Sequence, residues 1–271
     1  MSVALPQRLV LRTLDGLKQP LIILWCQRHL LGLLLRRDIA VRTSGTTMGG
    51  VWLFVQPTLQ VLAFWFLLDM VLRIRFPGTL PFVEYFLVGM VPWLMMADVM
   101  NRSVNVMNEF APLYAKTLFP LALLPMLPLL VAGMIYGTVY IGLVAVLEGV
   151  AKAAMAPFIV VLLMLWLMPL CFLLALVGVF LRDVGQAVPF LITMTFYLTP
   201  ILYMPEMLPE IMQPAMVLNP FADIMALLHG VLQGTEMTWG NILRPFLLWL
   251  LLLGPAWVLF FRAMPHVREA L

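Results

Sequence analysis

The sequence predicts an all-α integral membrane protein, and two observations predict it. Hydrophobic residues fill 63% of the 271 positions and charged residues only 11%, with a mean hydropathy of +1.04, whereas soluble domains are about half apolar and about a quarter charged. Windows free or nearly free of charge recur at about 51–72, 82–100, 121–147, 157–180, 188–203 and 245–261. A hydrocarbon layer about 30 Å thick needs about 20 mostly apolar residues per helix. Six transmembrane helices are therefore expected in a single domain over 1–271: a cytoplasmic segment 1–49, a six-span region 50–261 and a tail 262–271.

The opening stretch MSVALPQRLVLRTLDGLKQP lacks the continuous apolar core and small-residue cleavage site of a secretory signal, so the spans themselves are expected to direct insertion. Residues 27–43, QRHLLGLLLRRDIAVRT, alternate leucines with Arg and His. That pattern favours a helix lying along the cytoplasmic interface over a seventh span. The same arginines also serve orientation alone, a plainer reading that is compatible with the first.

With six spans both termini share one side, and the charges choose it. Arg8, Arg12, Lys18, Arg28, Arg36, Arg37, Arg42, Arg102, Lys116, Arg182, Arg262 and Arg268 fall together, against Arg73, Arg75, Lys152 and Arg244 opposite. Twelve against four makes both termini cytoplasmic by the positive-inside rule. The net charge of +3 thus reads as topology and not as a nucleic-acid surface. The third window is long enough to tilt, and the fifth is cut short by Pro200 and Pro205.

Residues 204–244 are too broken by proline to span and too apolar for an ordinary loop. Irregular backbone survives at membrane depth only where protein or a water-filled cavity covers it, so short re-entrant helices are expected at the extracytoplasmic mouth. A compact external cap is the alternative.

Chemistry-bearing constellations are missing. His29, His229 and His266 are scattered, Cys26 and Cys171 stand apart and read as ordinary packing residues, and there is neither an HExxH nor a GxxxxGK[ST] phosphate loop. No catalytic residue, metal site or bound cofactor is expected on this chain. Active transport would then draw on another polypeptide or on an ion gradient. Ion-driven carriers keep ionisable groups near mid-membrane, but Asp69 and Asp98 fall near predicted span ends. Inverted repeats with discontinuous helices are not evident either, which favours an external motor.

The stretch between the second and third spans, NRSVNVMNEFAPLYAKTLFP, is polar and ends at Pro120. Asn101, Arg102, Asn105, Asn108 and Glu109 recur at spacings of three to four, giving one helix face that could meet a partner. From spacing alone a solvated turn is equally acceptable.

Several motifs in register resemble one family. Arg42 is followed by GTTMGGVWLFVQP with Gly45, Gly49, Trp52 and Pro57, then GMVPW at Gly89 to Trp93; later come YAKTLFPLALLP with Lys116, Phe119, Pro120 and Pro125, FLRDVGQ with Arg182 and Asp183, TPILY at Thr199 to Tyr203, Leu208 with Pro209, and Leu218-Asn219-Pro220. Over roughly 36–225 this is similar to type-2 ABC exporter permeases of the capsule, O-antigen and teichoic-acid kind. The resemblance implies a homodimer carrying two copies of a separate ATPase, which holds the ATP and Mg, with a coupling helix bearing Arg102, Asn105, Asn108, Glu109 and Lys116. Arg36, Arg37, Arg42, Arg182 and Asp183 fall at the cytoplasmic interface, and Leu208, Pro209, Asn219 and Pro220 in the periplasmic re-entrant region.

It further implies export of a lipid-linked polysaccharide across a bacterial inner membrane, with the first and fifth helices lining the path. Trp52, Trp65, Trp93, Phe196, Tyr197 and Tyr203 are then the candidate sugar contacts. Aromatic faces suit a sliding polymer because they bind without directional bonds that would trap one register. The same residue types also anchor helices at lipid interfaces.

Two departures matter. Thr43 and Ser44 stand where the family usually carries an aromatic or basic residue, and the chain ends in the short tail RAMPHVREAL. The small, tail-less form is most similar to group 2 capsule permeases, which in the family work with periplasmic and outer-membrane partners. Rival expectations are a permease for a drug or single lipid and, more remotely, an intramembrane enzyme of lipid-linked sugar metabolism, whose interfacial cluster of His, Asp or Arg is missing.

Overall fold

The computed structural model describes residues 22, 25–74, 81–114, 121–181, 183–209, 211, 216, 219–235 and 237–270. Among them there is no strand, and ten α-helices follow one another: α1 Arg28–Thr43, α2 Trp52–Trp65, α3 Phe82–Glu109, α4 Ala111–Tyr114, α5 Met126–Leu147, α6 Val150–Ala153, α7 Ala156–Phe180, α8 Val184–Leu198, α9 Pro220–Gln233 and α10 Trp239–Ala270. A 3-10 turn, Gly49–Val51, leads into α2, and a π turn, Phe66–Val71, ends it.

Among the described residues, five helical stretches are long and apolar enough to cross a bilayer: Gly49–Val71, Phe82–Glu109, Leu121–Leu147, Val150–Phe180 and Trp239–Val267. The chain is an all-α, multi-pass membrane protein. The sixth expected span is the shorter α8, whose 15 residues reach only about 22 Å at about 1.5 Å per residue. It stops because Thr199 turns extended, at φ −95° and ψ 132°, ahead of Pro200, which disfavours helical backbone in the residue before it.

α3 is the central helix. It carries buried residues from Phe82 to Met107, as expected for a helix that is hydrophobic nearly all round, and α2, α5, α7, α8 and α9 pack against it. α10 closes the far side against α7 and α9, while α1 lies against α5 and the turn that starts α2. α3 and α7 approach closely: a Cβ on Gly178 would overlap the Val104 carbonyl oxygen. Small residues allow such approach where lipid supplies no hydrophobic drive between helices. Cys171 is buried in this seam, but Cys26 is exposed, so only the first is a packing residue.

Of the two readings left open for the polar stretch that begins at Asn101, the helix holds over its first nine residues: α3 runs unbroken to Glu109, because no proline or glycine follows Pro92 before Phe110. Its 28 residues make about 42 Å, about 12 Å more than the hydrocarbon needs, so the last turns emerge. The segment 262–270 continues α10 as helix.

Candidate functional site

At the end of the molecule that carries α1, the emergent end of α3 meets α1 and α7. Arg102 Nη2 donates to both oxygens of Asp38, at 2.8 and 3.0 Å, and Arg42 Nε lies 3.2 Å from Asp38 Oδ2 one turn along α1. Asp38 is 6% exposed. Burial pushes its carboxyl above the usual range and the Arg42 charge pulls it back, since a desolvated carboxylate is disfavoured and a nearby cation favours it. Beside it, Arg37 lies over the Phe110 ring, 5.3 Å from its centroid.

This geometry redistributes the expected coupling face. Arg102 is turned inward to Asp38 on α1. Asn108 donates to the Gly178 carbonyl at 3.2 Å. Asn105, Asn108 and Glu109 remain exposed, and so does Asp183 at the start of α8; Arg36 is exposed on α1. Lys116 and Arg182 lie outside the described residues.

The second assembly lies inside the bundle, where α8 ends and α9 begins. Asn219 Nδ2 donates to Thr199 Oγ1 at 2.9 Å, Thr199 Oγ1 donates on to the Thr195 carbonyl, and Asn219 Oδ1 accepts from the Phe221 backbone N–H. Asn219 is thereby the N-cap of α9, with Pro220 at its first position, where a missing N–H costs nothing. Phe221 packs edge-on against Trp93 and Trp166. Trp93 is eleven residues along α3 from Phe82 and Trp166 ten along α7 from Ala156, so α9 starts about 15 Å inward from those helix ends. From there α9 runs back outward, stacking His229 on Tyr85 at 3.8 Å between centroids. Tyr85 in turn donates to the Pro200 carbonyl. Leu208 is half-buried and Pro209 exposed on the connecting segment.

Of the aromatic set, the structure gathers Phe196, Tyr197 and Tyr203 at the end of α8. Phe196 and Tyr197 meet edge-on, and Tyr203 Oη donates to the Tyr197 carbonyl. Trp52 is exposed at the start of α2, while Trp65, thirteen residues on, is half-buried. Trp93 is 3% exposed and packs against Phe196 and Phe221.

The structure also shows residues that the sequence reading passed over. α2 buries only Pro57 and Val61 along Trp52–Trp65, and α8 only Val188 and Ile192. On the uncovered face of α2, Gln56 and Gln60 are exposed and follow Trp52 at successive spacings of four, which places all three on one stripe. Amides facing hydrocarbon are costly. The signal was visible in the sequence as uncharged polar residues at helical spacing inside an apolar window.

A family model described as "ABC-2 type transporter" matches residues 29–232. The chain is similar to the "O-antigen export system permease protein RfbA" of Myxococcus xanthus, at 28% identity over 194 residues, 66% of this chain and 70% of that protein. Two Klebsiella pneumoniae proteins of the same name are 23% and 24% identical over 201 residues, 72% of this chain and 76% of theirs.

Proposed function

The chain belongs to the ABC-2 type transporter family, and from that premise we propose that it is the permease subunit of an ATP-driven exporter that moves a lipid-linked glycan, of the O-antigen or capsular type, across the bacterial inner membrane. The family is one of membrane transport subunits and not of enzymes. The observation that carries the cargo assignment is that relatives aligned over 194 to 201 residues are named for O-antigen export. In this reading both termini are cytoplasmic, α8 completes a sixth crossing, and the Thr199–Asn219 junction lies at membrane depth.

A second copy covers the open faces of α2 and α8, and the passage forms between the copies. The Trp52–Gln56–Gln60 stripe and the Phe196–Tyr197–Tyr203 cluster then offer rings and amides to a sugar chain. Apolar contact with sugar faces allows sliding, and amides exchange hydrogen bonds with hydroxyls at little net cost, since each bond replaces one to water. Asn105, Asn108 and Glu109 meet a separate ATPase subunit, which binds ATP and Mg, two copies per dimer. Periplasmic and outer-membrane components would receive the product.

The competing cargo is a drug or a single lipid, for which the uncovered apolar area of α2 would suffice. Deleting the gene separates the two. Glycan accumulating inside the cell supports the export reading, while glycan reaching the surface in normal amount overturns it.

A further inference from the structure

We propose that Asp38 is a positioning residue of the transport cycle: by holding Arg102 it makes α1 and the emergent end of α3 one lever, so a push on α3 also moves α1. This rests on the reading of α3's end as the ATPase contact. The pair joins residues 64 positions apart in the chain, and its side chains are 7% and 16% exposed. In such a place removal of one partner strands a buried charge, so the pair stays closed under load.

A single tie would let α1 pivot, but there are two. Arg37 over Phe110 lies eight residues further along α3, about 12 Å, and Phe110 is the residue that ends the helix. The two ties leave adjacent residues of α1 and reach α3 at two heights, so one stretch of α1 is held to two points of α3. Arg42 holds the other side of the same carboxylate, which fixes the Asp38 side chain. Stability alone does not call for this ion pair: Leu31 and Leu34 already bury α1's apolar face, and well-packed apolar residues often replace such pairs without loss.

The rest of α1's surroundings allow it to move. A cavity of about 450 Å³ between α1, the start of α2 and α5 is lined by Ile39, Val51, Leu53, Phe54, Met134 and Ile135. The link from α1 to α2 contains Gly45 at φ +78° and Gly49 at φ +55°, left-handed conformations that glycine adopts without steric cost. A shift of α1 therefore reaches the first turn of α2, which carries Trp52.

The test uses the full chain in complex with its ATPase. Exposed Cys26 lies two residues before α1 and Cys171 is buried, so a fluorescent maleimide on the natural chain reports α1. Expected for Asp38→Asn is at least a tenfold loss of glycan export and loss of the ATP-dependent fluorescence change, with co-purification and ATP hydrolysis retained. Asp38→Glu should recover most of both signals, which a purely structural role would not predict. If Asp38→Asn does not reach the membrane, Arg102→Lys, which keeps the charge and loses the two-pronged geometry, carries the same expectation. Export at the natural level in these variants, or an unchanged ATP-dependent signal, overturns the proposal. The fluorescence needs no glycan, so an ATP- and Asp38-dependent signal without glycan export sinks the cargo reading and leaves the lever standing.

Discussion

Asn219 and Thr199 hold each other across a gap of twenty residues, amide to hydroxyl at 2.9 Å, and both are buried. The bond joins the last turn of α8 to the first turn of α9, the two helix ends that face each other inside the bundle. Helix ends leave backbone groups unsatisfied, and inside a membrane protein only the protein can satisfy them. Asn219 meets part of that need, its Oδ1 accepting from the Phe221 N–H while its Nδ2 ties the start of α9 to Thr199.

Replacing Asn219 with Ala removes the cap of α9, leaving the Phe221 N–H without its acceptor and Thr199 Oγ1 without its donor. A loss of about 1–3 kcal/mol is expected, read as a lower unfolding midpoint of the purified protein in detergent. Asn219→Asp should lose less, because the Oδ1 cap to Phe221 survives. Equal losses for both would place the energy elsewhere.

Gly178 faces the Val104 carbonyl with no room for a side chain. Gly178→Ala should force α7 and α3 apart, costing about 1–3 kcal/mol, and should break the bond from Asn108 to the Gly178 carbonyl. The thermal midpoint measures the first effect. A midpoint equal to that of the natural chain would contradict the close approach.

His229 fits its place because position 89 is glycine: a Cβ there would stand 3.1 Å from His229 Nε2. Gly89→Val should expel the ring from its stack on Tyr85 and free α9, raising amide hydrogen exchange across 220–233. His229→Phe keeps the stack and loses only the bond between Nδ1 and Gln233 Oε1 at 2.9 Å, so it should leave exchange nearly unchanged.

Gln56→Leu with Gln60→Leu makes the open stripe of α2 purely apolar. If that stripe meets glycan or a second copy, export should fall at least severalfold while the amount of protein in the membrane holds. Undiminished export would show that the stripe faces lipid.

Much of the fold was legible because hydropathy is a property of whole windows: the spans near 82, 121, 157 and 245 needed no knowledge of their neighbours. Spacing left helix and turn both open for Asn101 to Glu109; they continue α3, since polar residues without a breaker remain good helix, and only contact with α1 and α7 shows which of them face inward. Arg102 could not be assigned from spacing because its partner lies 64 residues away. The burial of Trp93 by Phe196 and Phe221 is likewise a tertiary fact. Gln56 and Gln60, by contrast, were readable as a stripe and were missed.

The central claim, ATP-driven glycan export, is tested most directly in inverted membrane vesicles that contain this chain with its ATPase and are supplied with radiolabelled lipid-linked glycan. Label should become protected inside the vesicles when ATP is added, and the Asn105→Ala, Asn108→Ala double variant should hydrolyse ATP without that protection. ATP hydrolysis by the unaltered complex with no protection of glycan would contradict it.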